Sequence, residues 1–168
     1  MIPSTLALAE HLVRQLRDSR WTLGIGESCT GGLLSAYLTH APGVSAVITH
    51  GFLCYSNLAK QDLLGVEQDV MVEYGSVSEP VAIQMAEGAA AAARADVGLG
   101  MTGIAGPTGG SLEKPVGTVF AAVSVHGTTQ SRSWHFDGNR ARVREESVKG
   151  FLTFANQAIK SVKQLQGF

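Results

Sequence analysis

Ser28 and Lys60 are the two side chains of this sequence whose types and surroundings suit nucleophilic catalysis. Ser28 stands where a short apolar strand, Trp21 to Gly26, turns into a helix through Glu27-Ser28-Cys29-Thr30-Gly31-Gly32. A serine hydroxyl at such a turn is exposed at the edge of a sheet, and the free N–H groups of the first helical turn can stabilise an oxyanion. The segment lacks the G-x-S-x-G pattern of a nucleophile elbow. Taken alone, it fits a helix N-cap better than a nucleophile.

Lys60 strengthens the catalytic interpretation because it lies near the start of the helix after the next strand. We expect Asn57 to cap this helix. If the lysine is partly buried among helix N-termini, its pKa falls and it becomes a usable general base. The alternative is an ordinary solvated lysine, which most lysines are. Tyr55, at the same edge, either relays a proton or simply packs.

Two other side chains compete with Ser28 for the role of nucleophile. Ser45 begins a predicted strand that Tyr55 ends, and ten steps of about 3.3 Å separate the two residues by roughly 30 Å. Ser45 is therefore expected at the opposite edge of the sheet. Cys29 could form a thiolate at a helix N-terminus, but no histidine has a recognisable position near it, so it ranks below Ser28.

Two segments could hold an anion. The loop from Thr102 to Gly110 has four glycines in nine residues, and such loops let backbone N–H groups approach a phosphate. It is not a Walker A loop, and a tight structural connection is a credible alternative. Arg140, Arg142 and Arg144 fall at the start of the last helix, where cations oppose the helix dipole unless an anion is bound. Solvated surface arginines explain that cluster equally well.

The composition excludes several classes of protein. The chain has 168 residues, of which 45% are hydrophobic and 16% charged, and we expect a single domain over residues 1–168. The net charge of −1 argues against a nucleic-acid or anionic-membrane binder. With two cysteines, no secretory leader and no apolar run of about 20 residues, a cytoplasmic protein is expected. The five histidines show no ligand spacing, which disfavours a metal.

Strands that alternate with helices predict an α/β fold, namely a three-layer α/β/α domain with a mixed, mostly parallel sheet. Strand, helix and next strand form a right-handed βαβ unit, so ligands should collect at the carboxyl ends of its parallel strands. The predicted elements are a first helix after Pro3-Ser4, a strand Trp21–Gly26, a helix to about Thr39, a strand Ser45–Tyr55, helices Leu58–Leu64 and Ser78–Arg94, a strand Val97–Thr102, hairpin strands Gly117–Val125 and Thr129–Phe136, and a last helix after Asn139.

An ordered set of motifs resembles the CinA C-terminal domain family, and the resemblance covers roughly Leu6 to Phe154. The motifs are Gly26-Glu27-Ser28-Cys29-Thr30-Gly31-Gly32, Tyr55-Ser56-Asn57-Leu58-Ala59-Lys60, Tyr74-Gly75-Ser76-Val77-Ser78-Glu79, Thr102-Gly103-Ile104-Ala105-Gly106-Pro107 and Glu113-Lys114-Pro115-Val116-Gly117-Thr118. Three departures from the family pattern, Val44, His50 and Ser76, lie away from Ser28 and Lys60. They bear on substrate detail more than on reaction class.

The resemblance implies a three-layer fold and hydrolysis of nicotinamide mononucleotide to nicotinate mononucleotide and ammonia, by a Ser/Lys mechanism without metal or cofactor. It implies a pyridine mononucleotide as the small-molecule substrate, and we expect a homo-oligomer that binds neither nucleic acid nor membrane. The catalytic residues are then Ser28, Lys60 and Tyr55. The expected substrate contacts are Glu27, Thr30, Gly31, Gly32, Ser45, Thr102, Gly103, Ala105, Gly106 and Arg142, with the N–H groups near Thr30 to Gly32 holding an oxyanion and Thr102, the following loop and Arg142 holding the 5′-phosphate.

Two other functions stay open at this point. The chain could be a non-catalytic nucleotide-binding module in a competence or DNA-damage response, which would bind without turnover. It could also be a phosphatase, which would release inorganic phosphate instead of ammonia.

Overall fold

The computed structural model describes the backbone of residues 1–166 and the side chains of residues 1–165. Its helices and strands alternate along most of the chain. In order, they are α1 (Pro3–Ser19), β1 (Leu23–Glu27), α2 (Leu33–Thr39), a 3₁₀ turn (Val44–Ala46), β2 (Ile48–Leu53), α3 (Asn57–Leu64), α4 (Gln68–Tyr74), α5 (Glu79–Ala93), β3 (Val97–Gly103), β4 (Thr118–Val125), β5 (Thr128–His135) and α6 (Arg140–Gln166). The predicted α/β fold class is confirmed.

One five-stranded sheet runs through the molecule in the order β2-β1-β3-β4-β5. β2, β1 and β3 are parallel to one another, while β4 and β5 add an antiparallel hairpin. The sheet is therefore mixed, with a parallel core. α1, α2 and α6 pack on one face, and α3, α4 and α5 pack on the other, so the carboxyl ends of β1, β2 and β3 meet at one edge.

The second strand is shorter than the predicted Ser45–Tyr55. Gly43 takes a positive φ of 81° after Pro42, and the chain then makes one 3₁₀ turn before it extends at Ile48. Ser45 therefore lies in this turn and not in a strand, which corrects the ten-step separation from Tyr55. Because β2 runs parallel to β1, Ser45 still precedes the amino end of β2, away from the end of β1 where Ser28 follows.

Close contact between backbones holds α5 against the sheet. A Cβ at Gly98 would lie 1.9 Å from the carbonyl oxygen of Ala86, one at Gly24 would lie 2.3 Å from that of Ala89, and one at Gly100 would lie 2.4 Å from the Ala86 nitrogen. Glycine is thus required because the helix backbone occupies the space of a side chain. This contact fixes α5 over β1 and β3.

Among the described residues, no helix combines the length and the apolar character that a membrane-spanning segment needs.

Gly98→Ala should lower the free energy of unfolding by about 3 kcal/mol, at the upper end of the cost of overpacking. The neighbouring atom is backbone and cannot rotate away. Gly51→Ala is the matched control, since its Cβ would meet only the Ser35 hydroxyl at 3.4 Å and should change stability by less than about 0.5 kcal/mol. Urea denaturation followed by circular dichroism measures both variants. Equal stability of the two would contradict the close contact.

Candidate active site

The side chains of Ser28 and Lys60 meet at the carboxyl edge of the parallel strands. Lys60 Nζ donates a hydrogen bond of 3.2 Å to Ser28 Oγ. Both residues are buried, with 7% of Ser28 and 3% of Lys60 exposed. A serine hydroxyl in direct contact with a buried amine is the arrangement that a serine nucleophile and a lysine base require.

The start of α3 brings Lys60 to this edge. The chain leaves β2 through Cys54, whose N–H donates to the Glu27 carbonyl at 2.7 Å. Ser56 then caps α3 by accepting a hydrogen bond of 3.0 Å from the Ala59 N–H. The predicted cap, Asn57, is instead the first residue of the helix, because Ser56 already occupies the cap position.

Burial lowers the pKa of the Lys60 amine below its ordinary value of 10.5, and the nearby thiols of Cys54 and Cys29 oppose this effect only partly. Among the residues that the structure describes, no carboxylate lies within 4.0 Å of its nitrogen. A buried lysine without an ion-pair partner is destabilised in its charged form. Lys60 therefore has the electrostatic character of a base.

The Glu27 carboxylate organises the turn that carries Ser28. One oxygen accepts hydrogen bonds from the Thr30 hydroxyl at 2.7 Å and from the N–H groups of Gly32 at 3.1 Å and Leu34 at 3.0 Å. The other accepts from the N–H of Ser35 at 2.8 Å and from its hydroxyl. Glu27 thus accepts hydrogen bonds from N–H groups at the start of α2 that have no partner within the helix. Its carboxylate lies at the end of the helix where the dipole favours an acidic side chain.

Four of the predicted substrate contacts have a structural role in this turn. Glu27 and Thr30 bond to each other, and the Gly32 N–H bonds to Glu27. The Gly31 N–H donates to the Ser28 carbonyl at 3.0 Å. Gly31 and Gly32 both have positive φ values, which glycine adopts without strain. The predicted oxyanion donors in Gly31 and Gly32 are therefore already engaged, leaving Cys29 and Thr30 as the candidates in this turn.

Cys29 is poorly suited to be the nucleophile. Burial raises the pKa of its thiol to about 12, and the backbone N–H groups of Cys29 and Thr30 offset this only in part. Because the thiolate is the reactive form, the thiol stays protonated and unreactive at neutral pH. This supports the choice of Ser28.

A cavity of about 240 Å³ opens in front of Ser28 and Lys60. Seven of the residues predicted for the site line it, namely Ser28, Tyr55, Lys60, Thr102, Gly103, Ala105 and Gly106. Eight further residues complete the lining, namely Cys29, Asn57, Ser76, Val77, Ile104, Thr108, Gly109 and Arg140. The cavity is thus built from the turn after β1, the start of α3, the segment before α5 and the loop after β3.

The arginine at the cavity is Arg140, whereas the predicted Arg142 is not among the lining residues. Arg140 donates to the Gly106 carbonyl at 2.9 Å and to the Tyr55 hydroxyl at 2.7 Å. Arg144 lies one turn later and donates to the Thr30 carbonyl at 3.0 Å. At 100° per residue, Arg142 points away from the face that Arg140 and Arg144 share, and it does not line the cavity. This helical spacing was the signal in the sequence that separates Arg142 from Arg140 and Arg144.

Of the other two predicted side chains, Tyr55 lies at the cavity and Ser45 does not. Ser45 lies in the turn before β2 and does not line the cavity. Tyr55 does line it, but its hydroxyl is bonded to Arg140. Since Ser28 and Lys60 touch directly, no relay through Tyr55 is needed.

The loop after β3 presents backbone donors to the cavity. Thr102 ties its start to the segment before α5, because its hydroxyl donates to the Ser76 carbonyl at 2.9 Å. Among the described residues, no acceptor engages the N–H groups of Ala105, Gly106, Thr108 or Gly109. Free N–H groups and one arginine on the same cavity suit an anion.

Residues 1–165 contain no group of three or more His, Cys, Asp or Glu side chains that could hold a metal ion.

Comparisons with known proteins point to one family. A sequence model of the CinA C-terminal domain matches residues 5–159. A CinA-like protein of Syntrophotalea carbinolica is 46% identical over 141 residues, which are 84% of this chain and 34% of that relative. A CinA-like protein of Kosmotoga olearia is 42% identical over 153 residues, which are 91% of this chain and 37% of that relative. The chain thus spans about a third of the length of these curated relatives.

Solved structures agree over almost the whole chain. The competence/damage inducible protein CihA from Agrobacterium tumefaciens superposes with a TM-score of 0.91 at 36% identity, covering 95% of this chain and 98% of that one. A competence-damaged protein (CinA) superfamily protein from Escherichia coli gives a TM-score of 0.87 at 33% identity, with 95% and 92% covered.

The free energy of unfolding of Lys60→Met should exceed that of the wild type by about 1–2 kcal/mol at pH 6. The substitution removes an amine whose burial disfavours its charged form. Folding lowers the pKa of Lys60, so the folded protein holds fewer protons than the unfolded chain between that lowered value and 10.5. Wild-type stability therefore rises with pH through this window, and the advantage of Lys60→Met should shrink as the pH approaches 10.5.

Urea denaturation at several pH values measures this difference. The same substitution at the exposed Lys149 should leave stability nearly unchanged. A destabilised Lys60→Met protein at pH 6 would show that the amine contributes to folding.

Proposed function

The chain belongs to the CinA C-terminal domain family, and we propose that it is an amidohydrolase that converts nicotinamide mononucleotide to nicotinate mononucleotide and ammonia. The observation that carries the proposal is the contact of 3.2 Å between Ser28 Oγ and Lys60 Nζ at the end of the cavity. A hydroxyl paired with a base is suited to acyl transfer. The substrate is taken from the family resemblance and is supported by the anion-binding character of the opposite wall.

In the first half of the reaction, neutral Lys60 accepts the Ser28 proton while Oγ bonds to the carboxamide carbon. The resulting oxyanion is held by N–H groups next to the nucleophile, for which Cys29 and Thr30 are the candidates. The Lys60 ammonium then gives its proton to the amide nitrogen. The C–N bond breaks, ammonia leaves, and an ester to Ser28 remains.

In the second half, water attacks this ester and Lys60 takes the proton of the water. The tetrahedral intermediate collapses, the Ser28 oxygen leaves and recovers its proton from Lys60, and nicotinate mononucleotide is released. Burial serves both halves, because an amine with a lowered pKa can both accept and return a proton near neutral pH.

The phosphate of the substrate binds between Arg140 and the glycine-rich loop after β3. The arginine contributes a positive charge, and the free N–H groups of Ala105, Gly106, Thr108 and Gly109 contribute backbone donors. Binding energy from the phosphate, remote from the bond that breaks, orients the carboxamide on Ser28.

Ser28→Ala should abolish ammonia release from nicotinamide mononucleotide, with a loss of several powers of ten in kcat, while mononucleotide binding persists. A coupled ammonia assay across nicotinamide, its riboside and its mononucleotide measures activity, and calorimetry measures binding. Binding without turnover in the wild type would instead favour a non-catalytic nucleotide-binding module, and phosphate release would favour a phosphatase.

Two control variants sharpen this assay. Ser45→Ala should retain activity, because Ser45 does not line the cavity. Lys60→Arg should be nearly inactive although it keeps the positive charge, since a guanidinium does not release its proton. An active Lys60→Arg enzyme would mean that position 60 supplies only a fixed charge, and the Ser/Lys mechanism would be wrong.

Arg140→Ala should raise KM for the mononucleotide by about tenfold or more, the effect of losing a charge-assisted hydrogen bond. Turnover of the riboside, which lacks the phosphate, should scarcely change. Arg142→Ala is the matched control on the same helix and should leave both substrates unaffected. If Arg140→Ala weakens both substrates equally, Arg140 does not bind the phosphate.

A further inference from the structure

Arg144 contacts the turn that carries Ser28 but does not line the cavity. Its Nε and Nη2 atoms both donate to the Thr30 carbonyl, at 3.0 and 2.5 Å. A Cβ at Gly31 would lie 3.5 Å from Nη2, so the guanidinium packs closely on the turn. In the part of the chain that the structure describes, no carboxylate lies within 4.0 Å of Arg144. Its positive charge therefore acts on the Thr30 carbonyl without being neutralised by an ion pair.

Two hydrogen-bonded peptide groups connect this carbonyl to the residue after the nucleophile. The Thr30 carbonyl shares its peptide group with the Gly31 N–H, which donates to the Ser28 carbonyl at 3.0 Å. The Ser28 carbonyl in turn shares its peptide group with the Cys29 N–H. A hydrogen bond accepted by a peptide carbonyl polarises the N–H of the same group, and successive bonds reinforce one another. Arg144 therefore strengthens the Cys29 N–H as a hydrogen-bond donor.

The Thr30 N–H, the other candidate oxyanion donor, lacks this support. Its peptide group contains the Cys29 carbonyl, and among the described residues no backbone N–H donates to that oxygen. The Cys29 N–H has no backbone acceptor in the same range of residues. Of the two candidates, the Cys29 N–H is thus both available and polarised.

We propose that Arg144 is a positioning residue that polarises the Cys29 N–H, and that this N–H is the main oxyanion donor of the hydrolysis. The inference rests on the proposed function, because an oxyanion forms on the carboxamide only in acyl transfer. Negative charge develops on that oxygen in the transition state and is absent from the bound amide. A stronger donor therefore raises kcat more than it lowers KM. Arg140, by contrast, binds a phosphate that is charged throughout the reaction.

Neutral and charged replacements of Arg144 separate its charge from its contribution to the shape of the turn. Arg144→Gln should lower kcat by about tenfold, less than the roughly hundredfold loss that follows removal of an oxyanion donor itself. KM should change by less than about twofold. The loss of kcat should be equal for the mononucleotide and the riboside, because both form the same oxyanion. Arg144→Lys keeps the charge and should recover most of the lost kcat in the coupled ammonia assay.

Arg142→Gln is the matched control on the same helix, since Arg142 is exposed and does not line the cavity. Its kcat should equal that of the wild type. The pH at which the rate rises should be the same in all four proteins, because Arg144 is not among the groups that shift the pKa of Lys60. A displaced pH profile in Arg144→Gln would show that Arg144 acts on the base instead, and would overturn the proposal.

Circular dichroism checks that each variant is folded, and Arg144→Met is a second neutral variant for the case that Arg144→Gln does not fold. An unchanged kcat in a folded neutral variant, or an Arg144→Lys enzyme as slow as Arg144→Gln, would overturn the inference. Loss of folding in both neutral variants would also overturn it, because the guanidinium would then be structural. A wild type that releases no ammonia would contradict the proposed function itself, whereas an active wild type with an equally active Arg144→Gln contradicts only the role of Arg144.

Discussion

The site depends on one buried carboxylate. Glu27 ends β1 and collects five hydrogen bonds from Thr30, Gly32, Leu34 and Ser35, so the path of the chain from the strand into α2 is fixed from both ends. Ser28 is the first residue of that path and has little freedom to move. In the proposed mechanism, a nucleophile held in place before substrate arrives loses less entropy in the reaction.

Two of the buried ionisable side chains at this edge, Glu27 and Lys60, differ in the number of their hydrogen-bond partners. Both oxygens of the Glu27 carboxylate accept hydrogen bonds from the turn and from α2. Lys60, equally buried, has one hydroxyl partner and no carboxylate within reach among the described residues. The Glu27 side chain is therefore well hydrogen-bonded, whereas burial of the Lys60 amine lowers its pKa, which suits the base of the proposed mechanism.

The sequence was sufficient to predict that Ser28 and Lys60 lie at the same edge of the sheet. The order of a βαβ unit determines which strand ends meet, and both residues follow the carboxyl ends of parallel strands. The sequence was not sufficient to predict that Arg140, and not Arg142, lines the cavity, since choosing among three arginines requires the rotation of α6 about its axis. The sequence also did not show that the Gly32 N–H is bonded to Glu27, because that bond depends on the position of the Glu27 side chain. Such outcomes depend on tertiary contacts that spacing does not encode.

The backbone contact between α5 and the glycines of β1 and β3 divides the site into two parts with different freedom to evolve. The floor that carries Ser28 rests on Gly24, Gly98 and Gly100, where any side chain larger than hydrogen collides with a helix backbone. The opposite wall includes exposed loop residues such as Thr108, where side-chain changes are better tolerated than in the floor. Under the proposed hydrolysis, changes in this exposed part of the wall alter substrate contacts without moving Ser28 or Lys60.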